Sequence, residues 1–218
     1  MYVKYCGFTR VQDVRYACTC DVDAIGFVMY PPSARSVDVA TVKRLSADVP
    51  DHIDRVAVTV NMPLCMIQQL VKQTRINTLQ LHGDESTTYI QKLRELLPHI
   101  QIFKALKGDD TIAQQVAKYA PYVDRLLIDT PSHAYGGVGA TFDWRLLESI
   151  PLEKVLIAGG LNAEMLPILL SQRPNIAGVD IASGIEDETK GQKSPNKMTT
   201  IQHILGGIYH DKDTITCR

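Results

Sequence analysis

Short apolar runs alternate with amphipathic stretches along the whole chain, and the alternation keeps a regular beat. The strand-like runs are Tyr2–Cys6, Ala24–Val28, Asp54–Val60, Thr78–Leu81, Gln101–Ala105, Arg125–Asp129, Lys154–Ile157 and Ala177–Ile181. Between them the apolar spacing turns helical. Val11, Val14 and Cys18 share a face, as do Leu64, Ile67 and Val71, then Ile90, Leu93 and Leu97, then Ile112 and Val116. Ile201, Ile204, Leu205 and Ile208 close the series. Pro63, Pro98, Pro121 and Pro151 fall beside the predicted helix boundaries, where proline is tolerated or stops a helix. Strand starts recur at roughly 22–30 residues, the length of one strand–helix unit. Eight such units, with no Gly/Ser linker between halves, predict a single-domain α/β protein: a closed (β/α)8 TIM barrel near its minimum size of about 200 residues. The competing architecture, an open doubly wound sheet, wants fewer strands and a glycine-rich first turn. Cys6-Gly7-Phe8-Thr9 is not GxGxxG. The barrel is expected over residues 1–209, with the polar stretch His210–Arg218 as a frayed tail.

Composition narrows the function classes. Lys and Arg number 23 against 24 Asp and Glu, a net charge of −1. That balance supplies no overall basic field for nucleic acid or an anionic membrane, and leaves only a local phosphate pocket open. No apolar run approaches the roughly 18 residues of a spanning helix. Met1–Arg10 lacks the apolar stretch of a secretory signal, so a cytoplasmic protein is expected. The five cysteines, Cys6, Cys18, Cys20, Cys65 and Cys217, are odd in number, with no pair at CxxC spacing. Neither a disulfide framework nor a zinc ribbon is expected. Cys18 and Cys20 form a CxC with no second Cys or His pair nearby, and read as packing residues. No metal site and no cofactor are expected.

A parallel barrel carries its chemistry at the C-terminal ends of its strands. Those positions hold Cys6, Asn61, His82, Lys104, Asp129, Gly159-Gly160 and Ser183-Gly184. Ala158-Gly159-Gly160-Leu161-Asn162 leaves a strand into glycines, with Asn162 as a helix N-cap, and Ala182-Ser183-Gly184 does the same one unit later. Exposed backbone N–H groups and a helix N-terminus suit a phosphate dianion, although tight turns alone would also explain either glycine pair. Side-chain alternation puts Lys4 on the face of Cys6, pointing into the barrel. A buried lysine needs a carboxylate, and the neighbouring strand supplies Asp180, so a Lys4–Asp180 ion pair is expected. Its ammonium would favour a Cys6 thiolate. Asp129 ends an apolar strand, where desolvation would raise its pKa and fit it to donate a proton. Cys6 as base and Asp129 as acid suit a proton-shifting reaction without a cofactor. Arg35, in the proline-stiffened loop Pro31–Arg35, fits a bidentate pair with a substrate carboxylate or a solvated surface position. Tyr135-Gly136-Gly137-Val138-Gly139 reads as a lid, with no P-loop Lys-Ser/Thr after it, and Asp143-Trp144 as the start of the next helix.

Lys4-Tyr5-Cys6-Gly7, Leu81-His82-Gly83-Asp84-Glu85, Leu127-Ile128-Asp129-Thr130 and Tyr135–Gly139 resemble the motifs of the phosphoribosylanthranilate isomerase family. So do Phe142-Asp143-Trp144, Ala158–Leu161 and Val179–Glu186, in family order over nearly the whole chain. The resemblance implies a cofactor-free barrel enzyme of tryptophan biosynthesis acting on a phosphorylated small molecule. It implies Cys6 as general base, Asp129 as general acid, Arg35 and His82 at the anthranilate, and Gly159, Gly160, Ser183 and Gly184 at the phosphate. Two positions depart from the family pattern: Ala34 stands in a Ser-Pro-Arg turn, and Gly191-Gln192-Lys193-Ser194 replaces Gly-x-Lys-Asp. The competing readings are a related phosphosugar isomerase barrel, for which two aspartates would be wanted, and a phospholigand-binding barrel without catalysis. A monomer is favoured over a dimer.

Overall fold

The computed structural model of the chain describes residues 1–129 and 144–215. Eight parallel strands close in sequence order into a barrel: β1 (Tyr2–Cys6), β2 (Ala24–Val28), β3 (Asp54–Thr59), β4 (Thr78–Leu81), β5 (Gln101–Lys107), β6 (Arg125–Asp129), β7 (Val155–Ala158) and β8 (Gly178–Ile181). The ring is sealed where β1 pairs with β8, Lys4 opposite Asp180. Helices α1 (Val11–Ala17), α2 (Val39–Ser46), α3 (Leu64–Gln73), α4 (Thr87–Leu96), α5 (Ile112–Tyr119), α6 (Met165–Gln172) and α7 (Pro195–Ile215) cross between strands or close the chain.

Four features depart from the sequence pattern. After β6 the connection ends in a 3₁₀ segment, Trp144–Ser149, in place of an α-helix. β5 runs to Lys107, two residues further than its apolar run. The expected helical faces include neither α2 nor α6. α2 nonetheless buries Val42 and Leu45 on one face and is capped by Asp38, which accepts from the Thr41 N–H at 2.8 Å, whereas α6 is so apolar that a stripe does not stand out. Finally, residues 210–215, expected in a frayed tail, continue α7. None of them is glycine or proline, so nothing there breaks the backbone ladder.

Alternation along each strand sorts the core into two bodies. Outward-facing Val3, Tyr5, Ile25, Phe27, Leu79 and Ile128 belong to one large cluster with the helices. Inward-facing Phe103, Ala105, Leu127, Leu156 and Ala158 form a much smaller one inside the barrel. At the N-terminal end of the strands Tyr2 closes the lumen, its hydroxyl donating to Asp54 Oδ2 at 2.7 Å with the Arg125 guanidinium over its ring. The other end of the lumen is lined by polar groups.

Candidate active site

The registers place the inward positions on one surface. Cys6 pairs with Gly26 across β1–β2, Lys4 with Asp180 across β1–β8, and Asp129 with Ala158 across β6–β7, so Cys6 and Asp129 share the parity that faces the lumen. β7 and β8 separate their strands around the ring.

Lys4 lies below Cys6, its side chain fully buried, with Nζ donating to Asp180 Oδ1 at 2.8 Å. Burial works against the Lys4 ammonium, but Asp180 and Cys6 hold its pKa above the ordinary value. Cys6 is 6% exposed. Burial pushes its thiol up, and Lys4 offsets only part of that push, so the expected advantage to the thiolate is outweighed by desolvation. A Cβ on Gly26 would stand 2.7 Å from Cys6 Sγ and 3.1 Å from Lys4 Nζ; the bare glycine makes room for both.

Asp129 differs from expectation. Its carboxyl is 47% exposed, so the apolar walls inferred from the run before it do not enclose it. Those residues alternate, and Leu126 and Ile128 face the outer helices. The carboxyl instead has a polar neighbour: His82 Nε2 lies 3.5 Å from Asp129 Oδ2, and His82 Nδ1 lies 3.2 Å from Gln80 Nε2. His82 therefore lies beside the proposed acid. Both line a cleft of about 550 Å³ with Asn61, Gly83, Lys107 and Tyr119.

Arg35 is not a solvated surface residue. Its guanidinium makes a two-pronged ion pair with Glu186, Nε to Oε1 at 2.7 Å and Nη2 to Oε2 at 2.6 Å. That fork already holds a carboxylate from the chain itself. Lys104 also lines that cleft, but with its side chain turned out of the lumen. It has outward parity opposite Leu81 and Leu126, and its buried ammonium donates to Glu85 Oε2 at 3.2 Å and the Gly83 carbonyl at 2.6 Å. The Lys104–Glu85 pair braces the β3 and β4 loops, since Glu85 Oε1 also accepts from the Asn61 N–H at 2.8 Å.

The loops after β7 and β8 lie against one another. Gly159 and Gly160 both have positive φ, 89° and 62°. A Cβ on Gly184 would stand 1.9 Å from the Leu161 carbonyl oxygen, a contact that only glycine allows. Ser183 is exposed at the start of a short 3₁₀ turn, Ser183–Ile185. Asn162 Oδ1 accepts from the Glu164 and Met165 N–H groups at 3.0 and 2.8 Å, capping α6. Ser194 precedes Pro195, the first residue of α7, and its carbonyl accepts from the Met198 N–H. The motif Tyr135–Gly139 and Asp143 lie outside the described residues. Among the described residues no group of three His, Cys, Asp or Glu side chains could hold a metal ion. The pattern reading passed over Glu85, Glu186 and Lys193, although Glu85 and Glu186 end two of the quoted motifs.

Comparison with known proteins gives a consistent picture. A family model described as N-(5'-phosphoribosyl)anthranilate (PRA) isomerase matches residues 3–203. The N-(5'-phosphoribosyl)anthranilate isomerase of Staphylococcus aureus (strain MRSA252) is 44% identical over 207 residues, 95% of this chain and 98% of that protein. Phosphoribosyl anthranilate isomerase from Thermotoga maritima superposes with a TM-score of 0.79 at 29% identity, covering 92% of this chain and 96% of that one. A phosphoribosyl anthranilate isomerase solved in complex with reduced 1-(o-carboxyphenylamino)-1-deoxyribulose 5-phosphate gives 0.80 at 26% identity, covering 95% and 99%.

Proposed function

The chain belongs to the N-(5'-phosphoribosyl)anthranilate isomerase family, isomerases of tryptophan biosynthesis, and from that premise we propose how its barrel mouth carries out the reaction. The reaction is the Amadori rearrangement of N-(5-phosphoribosyl)anthranilate to 1-(2-carboxyphenylamino)-1-deoxyribulose 5-phosphate. Asp129 gives a proton to the furanose ring oxygen as the C1–O bond breaks, and the anthranilate nitrogen lone pair forms the C1=N bond of a protonated Schiff base. The Cys6 thiolate then removes the proton from C2. The electron pair of that C–H bond becomes the C1=C2 bond of an enolamine, which tautomerises to the ketone. Arg35 receives the anthranilate carboxylate, His82 flanks the ring next to Asp129, and the backbone of Gly159, Gly160, Ser183 and Gly184 receives the phosphate. The observation that carries this reading is the shared inward parity of Cys6 and Asp129 at one rim of a closed barrel.

The test follows loss of substrate fluorescence with freshly made phosphoribosylanthranilate. Cys6→Ser and Asp129→Asn should each lower kcat by about 100-fold or more, the usual size of lost acid–base help. Wild-type turnover in either variant would remove that residue from the mechanism.

The same reading takes the enzyme as a cytoplasmic monomer. Among the described residues no helix is long and apolar enough to cross a membrane. The exposed large apolar side chains Tyr30, Met66, Leu96, Tyr122 and Ile168 sit on five separate segments. Sedimentation should return the chain mass of 24.2 kDa; twice that value would mean a dimer.

A further inference from the structure

Two buried, paired charges, Glu186 and Lys193, have no role in the reading above, and Lys193 acts electrostatically on Cys6. Glu186 Oε1 accepts from Arg35 Nε at 2.7 Å, Lys193 Nζ at 3.0 Å and the Gly191 N–H at 2.8 Å, while Oε2 accepts from Arg35 Nη2 at 2.6 Å. The Lys193 side chain is fully buried. Its Nζ also donates to the Ala182 carbonyl at 3.0 Å and lies 5.5 Å from the centre of the Phe8 ring. Both cations converge on the residue after Cys6. A Cβ on Gly7 would stand 2.6 Å from Arg35 Cδ and 3.5 Å from Lys193 Nζ.

The charges around Cys6 can be taken element by element. β1 brings Lys4, β8 brings Asp180, the loop after β2 brings Arg35, and the segment between β8 and α7 brings Glu186 and Lys193. β2 contributes only the uncharged Gly26. Behind Lys193, Asp13 accepts from its backbone N–H at 2.9 Å and is already paired with Arg10. Outside that closed pair, three cations face two carboxylates. A surplus buried positive charge next to a thiol is relieved when the thiol ionises.

Resting on the assignment of Cys6 as base and Arg35 as carboxylate binder, we propose that Glu186 and Lys193 are positioning residues of the isomerisation. Glu186 fixes the Arg35 guanidinium above Gly7, and Lys193 supplies the surplus cation that favours the Cys6 thiolate. The two acts are coupled, because one carboxylate serves both cations. Glu186 Oε1 is shared three ways, so it neutralises Lys193 incompletely. Among the described residues Arg35 Nη1 makes no hydrogen bond, which leaves an edge of the guanidinium for the substrate. Burial pushes the thiol up, with Lys4 and Lys193 both pulling it down. The Glu186 carboxyl is held below its ordinary range despite burial, by Arg35, Lys193 and the Gly191 N–H.

The decisive measurement is the titration of the Cys6 13Cβ resonance in the full-length protein labelled at cysteine, assigned by its loss in Cys6→Ser. It requires neither substrate nor turnover. Lys193→Met should move the midpoint up, and Glu186→Gln should move it down, each by about one pH unit for a neighbouring charge. Lys193→Arg, which keeps the charge, should stay near wild type. Glu186→Gln should also raise KM for phosphoribosylanthranilate by about tenfold, with a smaller change in kcat, as Arg35 loses its anchor. Shifts of the same sign in both charge-removing variants, or no shift in either, would overturn the proposal, since a purely structural role has no reason to give opposite signs. Failure of the base assignment would look different: Cys6→Ser would keep turnover while the opposed shifts remained.

Discussion

Cys6 shows how two physical effects compete at a single residue. The sequence argument from parity, that Lys4 lies on the same face and must find a carboxylate, leads to the Lys4–Asp180 contact at 2.8 Å. What it could not weigh was the cost of burying the thiol itself, because exposure at a strand end depends on the loops that fold over it. At 6% exposure that cost dominates, and the thiol is pushed above its ordinary range. A general base must be deprotonated to act, so in the proposed role of Cys6 a raised pKa moves the working limb of the rate profile towards alkali. The kcat/KM profile, which reports groups of the free enzyme, should therefore keep rising above about pH 8.5, the unperturbed thiol value. A limb complete by neutrality would show that some other group takes the C2 proton. Asp129 carries the opposite lesson. Its apolar run suggested enclosure, yet the leucine and isoleucine side chains beside it alternate between the two faces, and the carboxyl emerges half exposed next to His82.

Elements were more legible than their ends. The apolar runs located all eight strands, and four of them, β1, β2, β4 and β6, have the very limits of their runs. β5 has Leu106 beyond its run and continues to Lys107. Lys104 stands at the cleft, yet alternation with the inward Phe103 and Ala105 turns its side chain out of the lumen. Glu186 escaped the pattern because its partner Arg35 lies 151 residues away in sequence, and Lys193 was hidden with it because its ammonium binds Glu186. Only closure of the barrel brings the β2 loop to the segment after β8. The contact between the β7 and β8 loops is likewise tertiary, and it makes a sharp test. Adding one methyl group at Gly184 would put Cβ 1.9 Å from the Leu161 oxygen and force the two loops apart. Under the proposed phosphate site, Gly184→Ala should then raise KM on the order of tenfold, with less effect on kcat, because it disturbs that site more than the proposed acid–base pair. An unchanged KM in a folded variant would place the phosphate elsewhere.

At the scale of the whole molecule, the barrel stabilises itself from outside and holds its polar groups inside, and under the proposed mechanism stability and catalysis meet in the same proton. Most apolar burial lies between strands and helices, which leaves the upper lumen free to hold Lys4, Cys6 and Asp180. A group whose folded pKa is raised contributes stability below its unfolded value, and that contribution is lost as pH climbs towards the folded value. Cys6 is raised by burial, as are the half-buried Cys18 and Cys20; Tyr2 and Tyr5 are raised too, and Tyr89 is pushed up to about 12. Lys104 and Lys193, lowered by burial, act in the opposite sense, favouring the fold as pH rises towards the ordinary lysine value of about 10.4. The thiols start to weaken the fold first, from about pH 8.5, while the tyrosines follow only above about pH 10. Urea midpoints measured from pH 7 to 10 should therefore fall less steeply in Cys6→Ser than in the wild type, with the difference opening above about pH 8.5. Parallel curves would mean that the Cys6 thiol ionises as easily in the folded chain as in the unfolded one. The rate limb would then have to lie at the ordinary thiol value, so the stability curve and the rate profile test the same proton by independent means.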